Sequence, residues 1–229
     1  NVSKGLLEFN GQEGDMVGLF SQNRAYWTIA DLGILGIKAV NVPIYPTNSK
    51  EEAKYIIDEA EIKVIFVNDQ AQYDRALSIM REGSTLQKII VFDETVLIEG
   101  KDSIFFKNFL SLGQKSMKDA VVEERLSKTT KDDLATLIYT SGTTGNPKGA
   151  MLTHENFLFM SYACRFVMDN NEKDVALSFL PLSHVFERCA QYCYLAGGSE
   201  YHYCHDTKQI LDFLKEVRPT WACVFPRIW

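Results

Sequence analysis

The residues best equipped for chemistry lie in "YTSGTTGNPKGAMLTHENF", Tyr139 to Phe157. From Tyr139 to Gly149, eleven positions hold four Ser or Thr hydroxyls, three glycines and one lysine. A phosphate cradle needs converging backbone N–H groups, and glycines let the backbone turn and approach closely. Hydroxyls add short hydrogen bonds and reach a metal ion, while a lysine brings mobile positive charge. Ser141, Gly142, Thr143, Thr144, Gly145 and Lys148 supply all of these. An ordinary solvated turn uses Gly and Asn without so many neighbouring hydroxyls. The nucleoside-triphosphatase loop G-x-x-x-x-G-K-[ST] does not fit, because Asn146 and Pro147 separate Gly145 from Lys148. The better helix start is Thr153, with Glu155 in the first turn, where the helix dipole favours an anion. The loop is therefore expected to join two extended segments.

A second candidate is "FLPLSHVFER", Phe179 to Arg188. Its structural reading is a helix capped by Ser183 with Val185, Phe186 and Cys189 on the apolar face. A helix start can also line a pocket, which makes His184 a candidate for touching substrate. A third cluster, Cys189, Cys193, His202, Cys204 and His205, has zinc-ligand types. Its spacing matches no paired zinc knuckle, and a metal site there is not expected. The five cysteines are read as reduced and mostly buried.

The elements that must position these groups alternate between strands and helices. "DMVGLF", "VNVPIY", "KVIFV", "KIIVF", "LATLIYT", "DVALSFLPL" and "TWACVF" read as strands. Pro43 marks "VNVPIY" as a sheet edge or a strand end. Helices are expected in "NRAYWTIADLGILGIKA", "KEEAKYIIDEA", "HVFERCAQYCYLAG" and "TKQILDFLKEV", and another follows Asp69. Ser49 with Glu52, and Asp69 with Gln72, form capping boxes. Residues 94–132 read as a surface excursion with one short helix around "IFFKNFLSLG". The fold class is α/β: mostly parallel sheets layered with helices.

The chain has 229 residues, 46% of them hydrophobic, enough for a sizeable core. A net charge of −6 argues against a nucleic-acid partner. The longest apolar stretch, "IADLGILGIKAVNVPI", is broken by Asp31 and Lys38, so a membrane span is not expected. The N-terminus lacks the basic-then-apolar layout of a secretory signal and an initiator Met, and reads as processed or trimmed.

"YTSGTTGNPKGAMLTHEN" resembles, over its whole length, the signature phosphate loop of the adenylate-forming enzymes. These are the acyl-CoA synthetases, firefly-type luciferases and peptide-synthetase adenylation domains. "PLSHVFER" is similar to the segment that follows in long-chain acyl-CoA synthetases. "GDMVGLFSQNRAYW" through "KVIFV" resembles the N-terminal half of the same enzymes and reads as scaffold. The resemblance implies activation of a long-chain fatty acid to an acyl-adenylate with release of pyrophosphate. Coenzyme A then displaces AMP. The implied cofactors are ATP and Mg²⁺, with CoA as co-substrate.

The site residues follow from the resemblance. Thr140 would help place Mg²⁺, Ser141 through Gly145 would hold the β- and γ-phosphates, and Lys148 would add charge. The catalytic set is thus Thr140, Thr143, Lys148 and His184. His184 would lie near the acyl carbonyl. Val185 and Phe186 would border an apolar acyl channel, with Arg188 at its wet end. The motifs expected for adenine, ribose and a C-terminal lysine are not found, so residues 1–229 read as an incomplete large N-terminal domain without its C-terminal small domain. By itself this piece is expected to be inactive, with an apolar surface around "TWACVFPRIW". A cytoplasmic location is expected, with peripheral membrane contact and a homodimer left open. Two other functions also remain open: adenylation of another carboxylic acid, or a non-catalytic nucleotide- or lipid-binding module.

Overall fold

The computed structural model describes residues 1–140 and 146–224, which divide into two compact units. The first unit is built from residues 1–21 and 26–153. It opens with α1 (Val2–Glu8), a helix not anticipated from the sequence, and β1 (Met16–Phe20). Then come α2 (Ala25–Leu35), β2 (Val40–Ile44), α3 (Lys50–Glu59), β3 (Val64–Val67), α4 (Gln70–Arg81) and β4 (Lys88–Val91). Both predicted capping boxes are present: Ser49 with Glu52 opens α3, and Asp69 with Gln72 opens α4. Each satisfies backbone N–H groups that the first helical turn would otherwise leave open.

Residues 94–132 are more ordered than expected. They form β5 (Ser103–Phe105), α5 (Phe106–Lys115) and α6 (Asp119–Lys128). Phe106 and Phe109 are fully buried, with rings packed against Phe66 and Phe92. The charged residues that suggested a surface excursion are the solvent faces of these helices. An aromatic cluster of this kind contributes through its buried area and its edge-to-face contacts.

The unit closes with β6 (Leu134–Thr140) and β7 (Lys148–Thr153). Among the described residues its sheet has the order β5-β4-β3-β1-β2-β6-β7. All neighbours are parallel except β6 and β7. Helices connect the parallel strands except β4 and β5, which a loop joins, and the central strands are buried along their lengths. Pro43 does not mark an edge, since β2 lies between β1 and β6. Its pairing with β6 is confined to Asn41 opposite Thr136, so Pro43 sits beyond the shared ladder, where its missing N–H costs no bond to β6.

The second unit comprises residues 22–25 and 154–229. It contains α7 (His154–Met168), β8 (Val175–Ser178), α8 (Val185–Gly197), β9 (Glu200–Tyr203), α9 (Ile210–Val217) and β10 (Trp221–Ala222). The strands form a parallel sheet in the order β10-β8-β9. Leu177, Phe179, Leu180 and Cys204 are at the centre of its core, with Ile210, Phe213 and Leu214 of α9 packed against them. Cys193 and Cys204 are buried and the other three cysteines half-buried; all five are free. The apolar surface expected around "TWACVFPRIW" falls partly on residues outside those described. On α7, Phe159, Tyr162, Phe166 and Val167 are exposed. Among the described residues no helix is long and apolar enough to cross a membrane.

Candidate functional site

In the first unit, the β6–β7 hairpin carries the glycine-rich loop. The apolar run "LATLIYT" makes β6, and "KGAMLT" returns antiparallel to it, as the extended–loop–extended expectation requires. The register sets Thr140 directly opposite Lys148, with residues 141–147 between them. Ser141, Gly142, Thr143, Thr144 and Gly145 lie outside the described residues. Thr140 and Lys148 are both exposed, so a hydroxyl and an ammonium flank the loop's two ends.

One pair back along the stem, Tyr139 faces Gly149. The Tyr139 hydroxyl bonds the Glu59 carboxylate, and the residue is almost fully buried. A Cβ on Gly149 would come 3.2 Å from the Tyr139 ring, tighter than a relaxed contact, so glycine lets the ring lie against the partner strand. On the other side of β6, Thr136 Oγ1 donates to Asn41 O at 2.6 Å, and Asn41 Nδ2 donates to Asp31 Oδ1 at 2.6 Å. The exposed end of the hairpin thus extends from a stem anchored by buried polar contacts.

In the second unit, "FLPLSHVFER" runs from β8 into α8. The helix cap is His184, not Ser183: His184 Nδ1 accepts from the Phe186 N–H at 3.2 Å. Ser183 is buried, and its Oγ has no hydrogen-bond partner among the described residues. Because Nδ1 accepts, the neutral imidazole carries its proton on Nε2 and offers that nitrogen as a donor. At the far end, Gly198 adopts φ 77° and closes the helix.

The face of α8 turned inward is not the expected apolar one. Phe186 is 44% exposed and Val185 half-buried, while Glu187, Arg188 and Gln191 are buried. Nor is Arg188 at a wet end: its exposure is 0%. Its guanidinium stands over the rings of Phe157 at 4.9 Å and Tyr192 at 5.7 Å, and Nη2 donates to Tyr192 Oη at 3.3 Å. Arginine tolerates this burial because its delocalised charge is weakly hydrated and stacks on aromatic faces.

Two residues outside the sequence-predicted set hold this segment. Asn23 Nδ2 donates to Ser178 Oγ at 2.9 Å and to Leu180 O at 2.6 Å, and Asn23 Oδ1 accepts from Leu182 N at 2.9 Å. Glu187 Oε1 accepts from Tyr201 Oη at 3.1 Å. Burial pushes the Glu187 carboxyl up to about 7, against the opposing influence of the nearby Ser178 and Tyr201 hydroxyls. Asn23 sits in "SQNRAYW", which reads as scaffold; only its contacts disclose its role. Glu187 was visible inside "HVFER", but nothing local to it reports its burial.

Among the described residues no group of three or more His, Cys, Asp or Glu is arranged to hold a metal ion. Thr140 offers one hard oxygen suited to Mg²⁺, whose remaining ligands are ordinarily water and substrate phosphates. The donor chemistry of the loop is compatible with a magnesium–polyphosphate group, for which Thr140 would be one protein oxygen.

Comparison with known proteins places these features in context. A family model described as AMP-binding enzyme matches residues 1–229. Fatty acyl-CoA synthetase A of Dictyostelium discoideum is 30% identical over 240 residues, covering 100% of this chain and 34% of its own length. Long-chain-fatty-acid–CoA ligase 1 of Cavia porcellus is 33% identical over 245 residues, covering 99% of this chain and 34% of its own length. The chain thus spans about a third of the length of these relatives. The structure of the anthranilate CoA ligase AuaEII in complex with anthranoyl-AMP superposes with a TM-score of 0.81 at 22% identity, over 96% of this chain and 42% of that one.

Proposed function

The chain belongs to the AMP-binding enzyme family, and from that premise we propose that the protein carrying it is an AMP-forming long-chain fatty-acid–CoA ligase. The supporting observation is the hairpin register, with Thr140 opposite Lys148 at the two ends of the glycine- and hydroxyl-rich loop. The curated relatives are named for the same activity.

In the first step a fatty carboxylate oxygen attacks the α-phosphorus of ATP. The bond to the bridging oxygen breaks, and pyrophosphate leaves with that electron pair. Negative charge grows on the leaving group, and preorganised donors lower the barrier by meeting it there. Ser141 through Gly145 hold the β- and γ-phosphates in this proposal, and Lys148 adds charge from the far strand. Thr140 would hold Mg²⁺, which when bound neutralises polyphosphate charge. In the second step the thiolate of coenzyme A attacks the acyl carbonyl and AMP departs. His184, with its proton on Nε2, donates to the acyl oxygen, and Val185 and Phe186 border the acyl chain.

The test is a substrate panel with the full-length protein. Palmitate-dependent ATP–pyrophosphate exchange followed by palmitoyl-CoA formation is expected. Faster pyrophosphate release with benzoate or amino acids would replace the fatty-acid assignment with another carboxylic acid. Nucleotide binding without any exchange would leave only a binding module.

A further inference from the structure

Between β8 and α8 the chain must travel from Ser178 to His184 without regular secondary structure. An irregular buried segment needs partners for its backbone polar groups. Asn23 supplies them through one carboxamide: it donates to Leu180 O and accepts from Leu182 N. The same Nδ2 donates to Ser178 Oγ. Tyr201 of β9 donates to the Glu187 carboxyl in the first turn of α8. The chain is thus gripped on both sides of His184, by Asn23 before it and by the Glu187–Tyr201 pair after it. Asn23, Ser178 and Glu187 are each at most 6% exposed.

We propose that Asn23 and Glu187, one on each side of it, are positioning residues that fix where His184 presents its imidazole. The proposal rests on the role assigned to His184 above. Hydrogen bonds at Leu180 and Leu182 fix the approach to the helix, and the Glu187 anchor fixes its first turn. His184 is left between two immobilised points.

The network is built for a neutral carboxyl. Among the described residues, the groups facing Glu187 are Ser178 from β8, Tyr201 from β9, Tyr194 from α8 itself and Cys223 beyond β10. None carries positive charge, and the guanidinium of neighbouring Arg188 is committed to the Phe157 and Tyr192 rings. Glu187 Oε2 is buried and has no hydrogen-bond partner among the described residues. A carboxylate there would be desolvated and uncompensated. Burial accordingly pushes this group up to about 7. The grip on His184 is therefore firm below neutrality and loosens above it.

The experiment uses the full-length protein and reads amide hydrogen-exchange protection at Leu182, which donates to Asn23, and at Phe186, which donates to His184. In the wild type, protection at Phe186 falls about tenfold between pH 6 and pH 8, while that at Leu182, held by Asn23, does not. Glu187→Gln, which mimics the neutral acid, keeps high protection at both pH values. Asn23→Asp retains the oxygen that accepts from Leu182 but loses both donations, and lowers Phe186 protection at either pH. In ATP–pyrophosphate exchange with palmitate, Asn23→Asp lowers kcat about tenfold with KM for ATP unchanged. Phe186 protection that does not vary with pH in the wild type, or that falls equally in Glu187→Gln, overturns the proposal. So does an Asn23→Asp variant with unchanged Phe186 protection. A wild type that shows no exchange with any fatty acid sinks the functional reading, while the protection data still decide this inference.

Discussion

The β6–β7 hairpin and the start of α8 are built on opposite plans. In the hairpin the candidate residues Thr140 and Lys148 are exposed, and strand pairing holds the stem behind them. At α8 the residues that set the geometry are buried, and side-chain hydrogen bonds hold them. The lesson is that function and stability separate in one region and are entangled in the other. An exposed donor can be removed without disturbing packing. A buried polar residue cannot be removed without leaving its partners unsatisfied.

The largest effect that tests this contrast is at the loop. Thr143→Ala in the full-length protein should raise the barrier to acyl-adenylate formation by about 2.7–4 kcal/mol, since one preorganised donor to developing charge is typically worth that much. The melting temperature should stay put. A loss of stability matching the loss of rate would break the separation. Next comes Arg188→Ala, with the reverse profile. It removes a desolvated cation–π contact and leaves a cavity, costing about 3 kcal/mol of stability. Urea unfolding measures this; a change under 1 kcal/mol would mean that the buried guanidinium is dispensable to packing.

Glu187 gives a smaller effect, and one that depends on pH. Its folded-state pKa of about 7 exceeds the ordinary 4.5. Between those values the folded chain binds more protons than the unfolded one, so stability falls as pH rises through this window and levels off above it. The full span is worth about 3 kcal/mol at most. Glu187→Gln should remove this slope and be the more stable protein at pH 8. Parallel pH profiles for the two proteins would rule out a buried neutral acid. The smallest effect is Lys148→Ala. At the exposed start of β7, its loss should slow adenylation about tenfold while stability changes by less than about 0.5 kcal/mol. Unchanged exchange would take Lys148 out of the phosphate site.

Much of the first unit was legible because its signals are local. Continuous β-branched runs such as "KVIFV" can only be buried strands. Ser49 and Asp69, each followed three residues later by a side chain that bonds back, mark helix starts without reference to anything distant. The excursion at 94–132 misled because Phe106 and Phe109 are buried against Phe66 and Phe92, partners far away in sequence. In the candidate site, the order of hydroxyls, glycines and lysine was plain, and so was the extended run on either side of it.

What the sequence determined by itself was therefore the alternation of strands and helices, the capping boxes and the chemical identity of the loop. Each depends on residues within a few positions of one another. Only the tertiary structure decided that Pro43 lies inside the sheet order, that His184 rather than Ser183 caps α8, and that Arg188 is wrapped in aromatic rings. It alone disclosed that Asn23, about 155 positions earlier, holds the segment before His184. The physical reason is that a polar side chain's role depends on which donors and acceptors surround it. Burial reverses the ordinary expectation: it strengthens the Glu187 carboxyl's hold on its proton and sets Arg188 among aromatic rings, and no local pattern in the chain reports that.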